Sequence, residues 1–129
     1  MVDTLGNILA LKVTPADVQD RDGAILLFAM LTTFYGWLKL IWADGGYTGK
    51  PVEAARTIKR HRKVKLEIVK RSDDVKGFKI LPKRWIVERT FGWLIQSRRL
   101  VRDYEVKIEH SESMIYLSMS KRMLARLAD

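Results

Sequence analysis

The order of apolar and polar positions along the chain predicts strands alternating with helices. Apolar residues around Gly6-Asn7 predict a β-hairpin over residues 1–14. Residues 24–37 are apolar almost all round, so a helix over about 20–36 is expected to be buried on most of its surface. The remaining predicted elements are a strand over 38–43, a helix over about 50–61, a strand over 64–70, and helices over about 82–100 and about 111–127. This order predicts a single α/β domain over residues 1–129, with a mixed sheet and flanking helices.

Charged residues are distributed unevenly along the chain, and their distribution bears on the kind of partner that the protein binds. The formal net charge is +9. Residues 1–48 hold three Lys/Arg and five Asp/Glu, whereas the rest of the chain holds 21 and 10. A basic half favours a polyanion partner, most simply nucleic acid, although a solvated basic surface explains the same count.

Composition also bears on the cellular compartment and on membrane association. There is no cysteine, which excludes disulfides and thiolate metal sites and favours a reducing cytoplasm. No apolar run reaches the roughly twenty residues that a membrane span needs, so no membrane partner is predicted.

Asp44 is the first candidate for chemistry, because it closes an apolar strand and precedes Gly45-Gly46, where the chain is expected to turn sharply. Ligands collect at the carboxyl ends of strands in open sheets, and a carboxylate there is a suitable oxygen ligand for Mg²⁺. The alternative is a turn aspartate that hydrogen-bonds its own backbone.

Glu88 is the second candidate. On a helix, Arg84, Gly92 and Arg99 share its face, which is not a typical packing stripe. A glycine inside a helix costs stability, so Gly92 indicates that something approaches the backbone there. The alternative is an ordinary Arg84–Glu88 pair at i,i+4 spacing.

Other polar and aromatic residues have simpler explanations. Asp17 or Asp20 can cap the helix that follows them, and Asp22 suits its first turn. The aromatic residues near Glu88 are expected to anchor their helix to the core, with base stacking as the alternative; they are Trp85, Phe91 and Trp93.

Three blocks in collinear order resemble the insertion-sequence transposases of the DDE class. The segment PKRWIVERTFGWLIQSRRLVRDYE at 82–105 is similar to their glutamate block, through Arg84-x3-Glu88 and the residues that follow. The stretch WADGGY at 42–47 resembles the block with their second aspartate, and VTPADVQDRDGA at 13–24 resembles the linker after their strand hairpin.

This resemblance implies a ribonuclease-H-like fold and a triad of two aspartates and a glutamate that holds Mg²⁺ or Mn²⁺. Asp44 matches the second acid and Glu88 the third. The family cuts transposon ends and joins them to target DNA, so DNA is the implied partner and the nucleoid the implied location. The resemblance implies that five basic residues neutralise DNA phosphates: Arg84, Arg89, Arg98, Arg99 and Lys83.

The sequence also departs from the family. The first catalytic aspartate of relatives stands on a strand before the hairpin, and Asp3 matches the hairpin strand instead. Leu81 and Ile95 stand where some relatives have tyrosine and lysine. We therefore expect a truncated catalytic domain, inactive alone, that pairs with an upstream transposase fragment or self-associates. Two alternatives are a non-catalytic DNA-binding protein that regulates or inhibits a full-length transposase, and a remnant without an ordered fold.

Overall fold

The computed structural model describes residues 1–49, 64–69 and 85–128. It divides into two compact units, of which the first comprises Met1–Val13 with Pro82–Asp129 and the second Thr14–Leu81. The predicted helix over 50–61 lies outside the described residues, as do Lys83 and Arg84.

The first unit begins with a tight turn that a single aspartate holds together. Val2 and Ile8 form an antiparallel bridge. The Asp3 Oδ1 accepts hydrogen bonds from the backbone N–H groups of Leu5 and Asn7, both at 2.8 Å, and its Oδ2 accepts one from Asn7 Nδ2 at 2.9 Å. Both oxygens of Asp3 therefore serve the turn, which argues against a catalytic role for Asp3.

Two helices complete the first unit. Helix α2 spans Trp85–Ile95 and helix α3 spans Ile108–Ala128, with a 3-10 turn at Arg98–Leu100 between them. The buried face of α2 is formed by Ile86, Thr90 and Leu94 at i,i+4 spacing. The pattern predicts α2 to continue to about residue 100 and α3 to begin near 111, so the structure shortens the first helix and lengthens the second.

The second unit begins with helix α1, Asp20–Phe34. Its N-cap residue is Gln19, which makes no side-chain cap, while Asp20 and Asp22 lie in the first turn, where negative charge favours the helix dipole. The expected capping by Asp17 or Asp20 is therefore wrong. Ala24, Phe28 and Leu31 are buried, but 49% of Leu26 and 72% of Phe34 is exposed, so α1 is buried on one side rather than on most of its surface.

Strand β1, Leu40–Asp44, pairs in parallel with strand β2, Lys65–Val69, and Asp44 lies opposite Val69. Parallel pairing places the carboxyl ends of both strands at one edge of the sheet. In the part of the chain that the structure describes, helices and this small parallel sheet are compatible with the predicted α/β class. None of the described helices is long and apolar enough to cross a membrane.

Candidate active site

Asp44 is the last residue of β1 and is exposed at the carboxyl edge of the parallel pair. A 3-10 turn, Gly45–Tyr47, follows it directly, and the Asp44 Oδ1 accepts a hydrogen bond from the Gly46 backbone N–H at 3.0 Å. The turn-forming role that the sequence offers as an alternative is thus present, and it uses one carboxylate oxygen. This hydrogen bond fixes the direction of the carboxylate and is compatible with metal binding through Oδ2.

Tyr47, at the end of this turn, is half-buried close to the acidic groups of the second unit. Burial, followed by the negative charges of Asp20 and Asp44, raises the pKa of the Tyr47 phenol above its ordinary value. The phenol therefore stays protonated at neutral pH, and Asp20 and Asp44 contribute to the same local negative potential. Such a potential attracts cations to the edge of the sheet where β1 ends.

Neither glycine after Asp44 has a positive φ, so the expected need for glycine flexibility at this turn is wrong. The two positions differ in the space around them. A Cβ at Gly46 would lie 3.2 Å from Asp44 Oδ1, whereas a Cβ at Gly45 would meet nothing within 4 Å. Gly46 therefore leaves room for the aspartate oxygen.

We expect Gly46→Ala to crowd the Asp44 carboxylate and to weaken Mn²⁺ binding about 3-fold, a loss of roughly 0.7 kcal/mol. Gly45→Ala is the matched control and should bind Mn²⁺ as the parent chain does. Titration of Mn²⁺ against both variants checks this, and equal affinities for the two would contradict it.

Glu88 lies in the first turn of α2 and is exposed. Gly92 is one turn further along the helix, and a Cβ there would meet nothing within 4 Å. Within the first unit, the space beside Gly92 is thus open to a ligand. Arg99, expected beside Glu88, instead binds Glu105, with its Nε 2.9 Å and its Nη2 2.8 Å from Glu105 Oε1.

The other described arginines of the predicted DNA surface differ in how accessible their guanidinium groups are. Arg98 is exposed in the 3-10 turn before α3. Arg89 is half-buried: its Nη2 donates to the Leu5 carbonyl at 2.9 Å, and its guanidinium lies between the rings of Trp85 and Trp93. Arg98 is therefore accessible to an anion, and the DNA roles of both Arg98 and Arg89 stay predictions.

The aromatic side chains of α2 also differ from one another. Trp93 is half-buried, with Arg89 and Arg122 both against its ring. Trp85 is 46% exposed and Phe91 61% exposed, so these two do not anchor the helix in a core as expected. Arg122 is not among the predicted site residues; the i,i+4 spacing of Trp85, Arg89 and Trp93 is a sequence signal for stacked side chains against which a further cation can pack.

The two candidate carboxylates lie in different compact units, Asp44 in the second and Glu88 in the first. Their sharing of metal ions therefore stays a prediction. Among residues 1–49, 64–69 and 85–128, no three acidic or histidine side chains come together as a metal site. Asp44 and Glu88 nevertheless fit Mg²⁺ or Mn²⁺ in kind, because both are exposed carboxylates and such ions prefer oxygen ligands.

Comparison with known families agrees with the resemblance carried by the sequence motifs. A family model described as "Transposase DDE domain" matches residues 1–121, nearly the whole chain. The chain therefore belongs to the DDE transposase family. No curated protein and no solved structure matches it.

Proposed function

We propose that this chain acts in DNA transposition by metal-dependent strand cleavage and strand transfer, using a ribonuclease-H-like catalytic fold. The observation that carries the proposal is an exposed Asp44 at the carboxyl end of a parallel strand, in a chain that belongs to the DDE transposase family. Strand ends of this kind are where α/β proteins place ligands. Asp44 and Glu88 are proposed as two of the carboxylates that hold Mg²⁺ or Mn²⁺.

The residues of the chain contribute binding and orientation to this reaction. The Gly46 N–H orients the Asp44 carboxylate, and the Asp20 and Asp44 charges attract a cation. The exposed Arg98 binds a DNA phosphate and so helps to place the strand. When bound, divalent ions would activate the attacking hydroxyl and stabilise the leaving oxygen of a phosphodiester.

Mn²⁺ binding to the full chain, measured by titration calorimetry, tests the assignment of the two carboxylates. Asp44→Asn and Glu88→Gln are each expected to weaken the Mn²⁺ affinity about 10-fold, or roughly 1.4 kcal/mol, because each removes a charged oxygen ligand. Asp22→Asn and Glu109→Gln are matched controls, since both acids are exposed in first turns of helices. Their affinities should equal that of the parent chain.

The pattern of Mn²⁺ affinity losses among the four variants decides whether Asp44 and Glu88 are metal ligands. Equal affinities for all four variants would contradict the assignment of Asp44 and Glu88.

The alternative function, a non-catalytic DNA-binding regulator, is favoured by the 21 Lys/Arg after residue 48. It predicts binding of transposon-end DNA that depends on salt but leads to no cleavage in Mg²⁺ or Mn²⁺.

A further inference from the structure

Four side chains of the first unit form a cation–π ladder: Trp85, Arg89, Trp93 and Arg122. The Arg89 Cζ lies 4.4 Å from the ring centroid of Trp85 and 4.7 Å from that of Trp93. The Arg122 Cζ, from α3, lies 3.6 Å from the Trp93 centroid. One indole is therefore held by an arginine of its own helix and by an arginine of the next.

Joining α2 and α3 through this cation–π ladder costs free energy. The Nε atoms of Arg89 and Arg122 are buried, and neither has a hydrogen-bond partner within the described part of the chain. A buried donor without an acceptor costs free energy, and two guanidinium groups against one indole repel each other. A methionine at position 122 would fill the space without these costs. Arginine adds a flat, directional contact that fixes the orientation of the Trp93 ring.

The orientation of Trp93 matters because α2 also carries Glu88. A helix with its side chains has a radius of about 5–6 Å, so turning α2 by about 10° around its axis would move the Glu88 carboxylate by about 1 Å. Metal ligation tolerates only about 0.2 Å. Arg122 acts on this rotation from α3, while the hydrogen bond from Arg89 to Leu5 O ties the same helix to the N-terminal turn.

We propose that Arg122 is a positioning residue for Glu88: by holding the Trp93 ring it fixes the rotation of α2 and thus the position of the carboxylate. This inference rests on the proposed function of Glu88 as a metal ligand. A residue of α3 thus acts on the site through its contact with Trp93.

Mn²⁺ titration of the full chain gives the first test. We expect Arg122→Met to lower the Mn²⁺ affinity 3- to 10-fold, with no further loss when it is combined with Glu88→Gln, because both changes act through one carboxylate. Arg126→Met, an exposed change on the same helix, should leave the affinity unaltered. Parent-like affinity in Arg122→Met beside a weakened Glu88→Gln would overturn the inference alone. Parent-like affinity in Glu88→Gln would overturn the proposed function and, with it, the metal role of Arg122.

A spin label gives a readout that needs no metal. The chain has no cysteine, so Glu88→Cys offers a unique attachment site. We expect the label at position 88 to become more mobile when Arg122→Met is added and to stay unchanged with Arg126→Met. Arg122→Lys, which keeps the charge but not the flat guanidinium, should behave like Arg122→Met. Identical spectra for the Met variant and the parent, or full restoration by lysine, would overturn the proposed orienting contact.

Discussion

Gly6→Ala is expected to destabilise the protein by about 2–5 kcal/mol, the largest loss that we predict for a single substitution. Gly6 has a φ of +88°, a conformation that costs other residues about 1–2 kcal/mol. A Cβ at this position would also lie 2.8 Å from Trp93 Cζ3 and 3.0 Å from Thr90 Oγ1. Overpacking of this kind adds about 1–3 kcal/mol.

The neighbours of Gly6 cannot relax cheaply. The Trp93 ring is held by Arg89 and Arg122, and the Thr90 hydroxyl donates to the Gly6 carbonyl, 2.8 Å away. An added methyl must therefore move the N-terminal turn away from α2 rather than displace a loose side chain. The free energy of unfolding should fall accordingly, with a decrease in Tm on the order of 10 °C.

Urea denaturation followed by tryptophan fluorescence measures the effect. Gly92→Ala is the control with the opposite expected sign, since its Cβ meets open space and alanine is favoured over glycine in a helix by up to about 1 kcal/mol. A Gly6→Ala variant as stable as the parent chain would show that the turn does not pack against α2 as described.

The sequence was most informative where local chemistry alone determines the structure. The turn at Gly6-Asn7, the apolar strand before Asp44 and a strand near residues 64–70 follow from the apolar pattern and the turn residues. The parallel pairing of the two strands does not follow from these signals, and the predicted hairpin over 1–14 reduces to the bridge between Val2 and Ile8. The sequence supports two interpretations of Asp44, a turn former and a metal ligand. The structure shows the first in its hydrogen bond to Gly46, and the exposed strand-end position leaves room for the second.

The boundaries of α2 and α3 could not be predicted because tertiary contacts decide them. The predicted start of α3 is near residue 111, yet the side chains there make tertiary contacts: Ser111 donates to Asp103 Oδ1 at 3.0 Å, and Glu112 Oε1 accepts from the Val13 N–H at 3.0 Å. The helix begins three residues earlier, at Ile108. At the other boundary, the Oγ of Ser97, just after the end of α2, lies 2.6 Å from the Oγ of Ser118 in α3, a contact that no local pattern indicates.

In the candidate site, too, local pattern predicts some features and tertiary contacts decide others. Local pattern made Asp44 and Glu88 candidates, each beside a simpler structural alternative, and the family resemblance favoured the metal-binding interpretation of both, which stays a prediction. Arg122 escaped notice, since its role arises only when α3 packs beside α2. The pairing of Arg99 with Glu105 is equally beyond local pattern, although both residues belong to the segment that resembles the family motif. Residues that support a site from another element need the fold before they can be recognised.

Glu112→Ala is expected to cost about 2 kcal/mol, the second large effect on stability. The Glu112 carboxylate is only 18% exposed; its Oε1 accepts from the Val13 N–H and lies 2.8 Å from Lys12 Nζ. Alanine would leave the Val13 N–H without its charged acceptor, and such hydrogen bonds contribute about 1.5–3 kcal/mol. The contact thus holds the chain against α3 just before it leaves the first unit.

The same contact makes stability depend on pH. Burial alone would raise the pKa of Glu112, but the hydrogen bonds from Lys12 and Val13, with the Lys12 charge, hold the pKa below its ordinary value. Because the folded-state pKa is the lower one, the charged carboxylate stabilises the fold fully above its ordinary pKa of about 4.3, and this stability is lost as the pH falls through the folded-state pKa. The hydrogen bond and charge of Glu112 raise the pKa of Lys12, so the ammonium contribution is lost only at alkaline pH.

Glu112→Gln separates the contribution of the hydrogen bond to Val13 from that of the carboxylate charge. Its amide oxygen can still accept from the Val13 N–H, so its stability at pH 7 should lie between those of the parent and Glu112→Ala. Its free energy of unfolding should also change less than that of the parent between about pH 5 and pH 3, because it has no carboxylate to protonate. Glu109→Gln, an exposed change in the first turn of α3, should keep the parent's pH dependence. If Glu112→Gln loses stability with acid as steeply as the parent does, the protonation of another group governs the acid response.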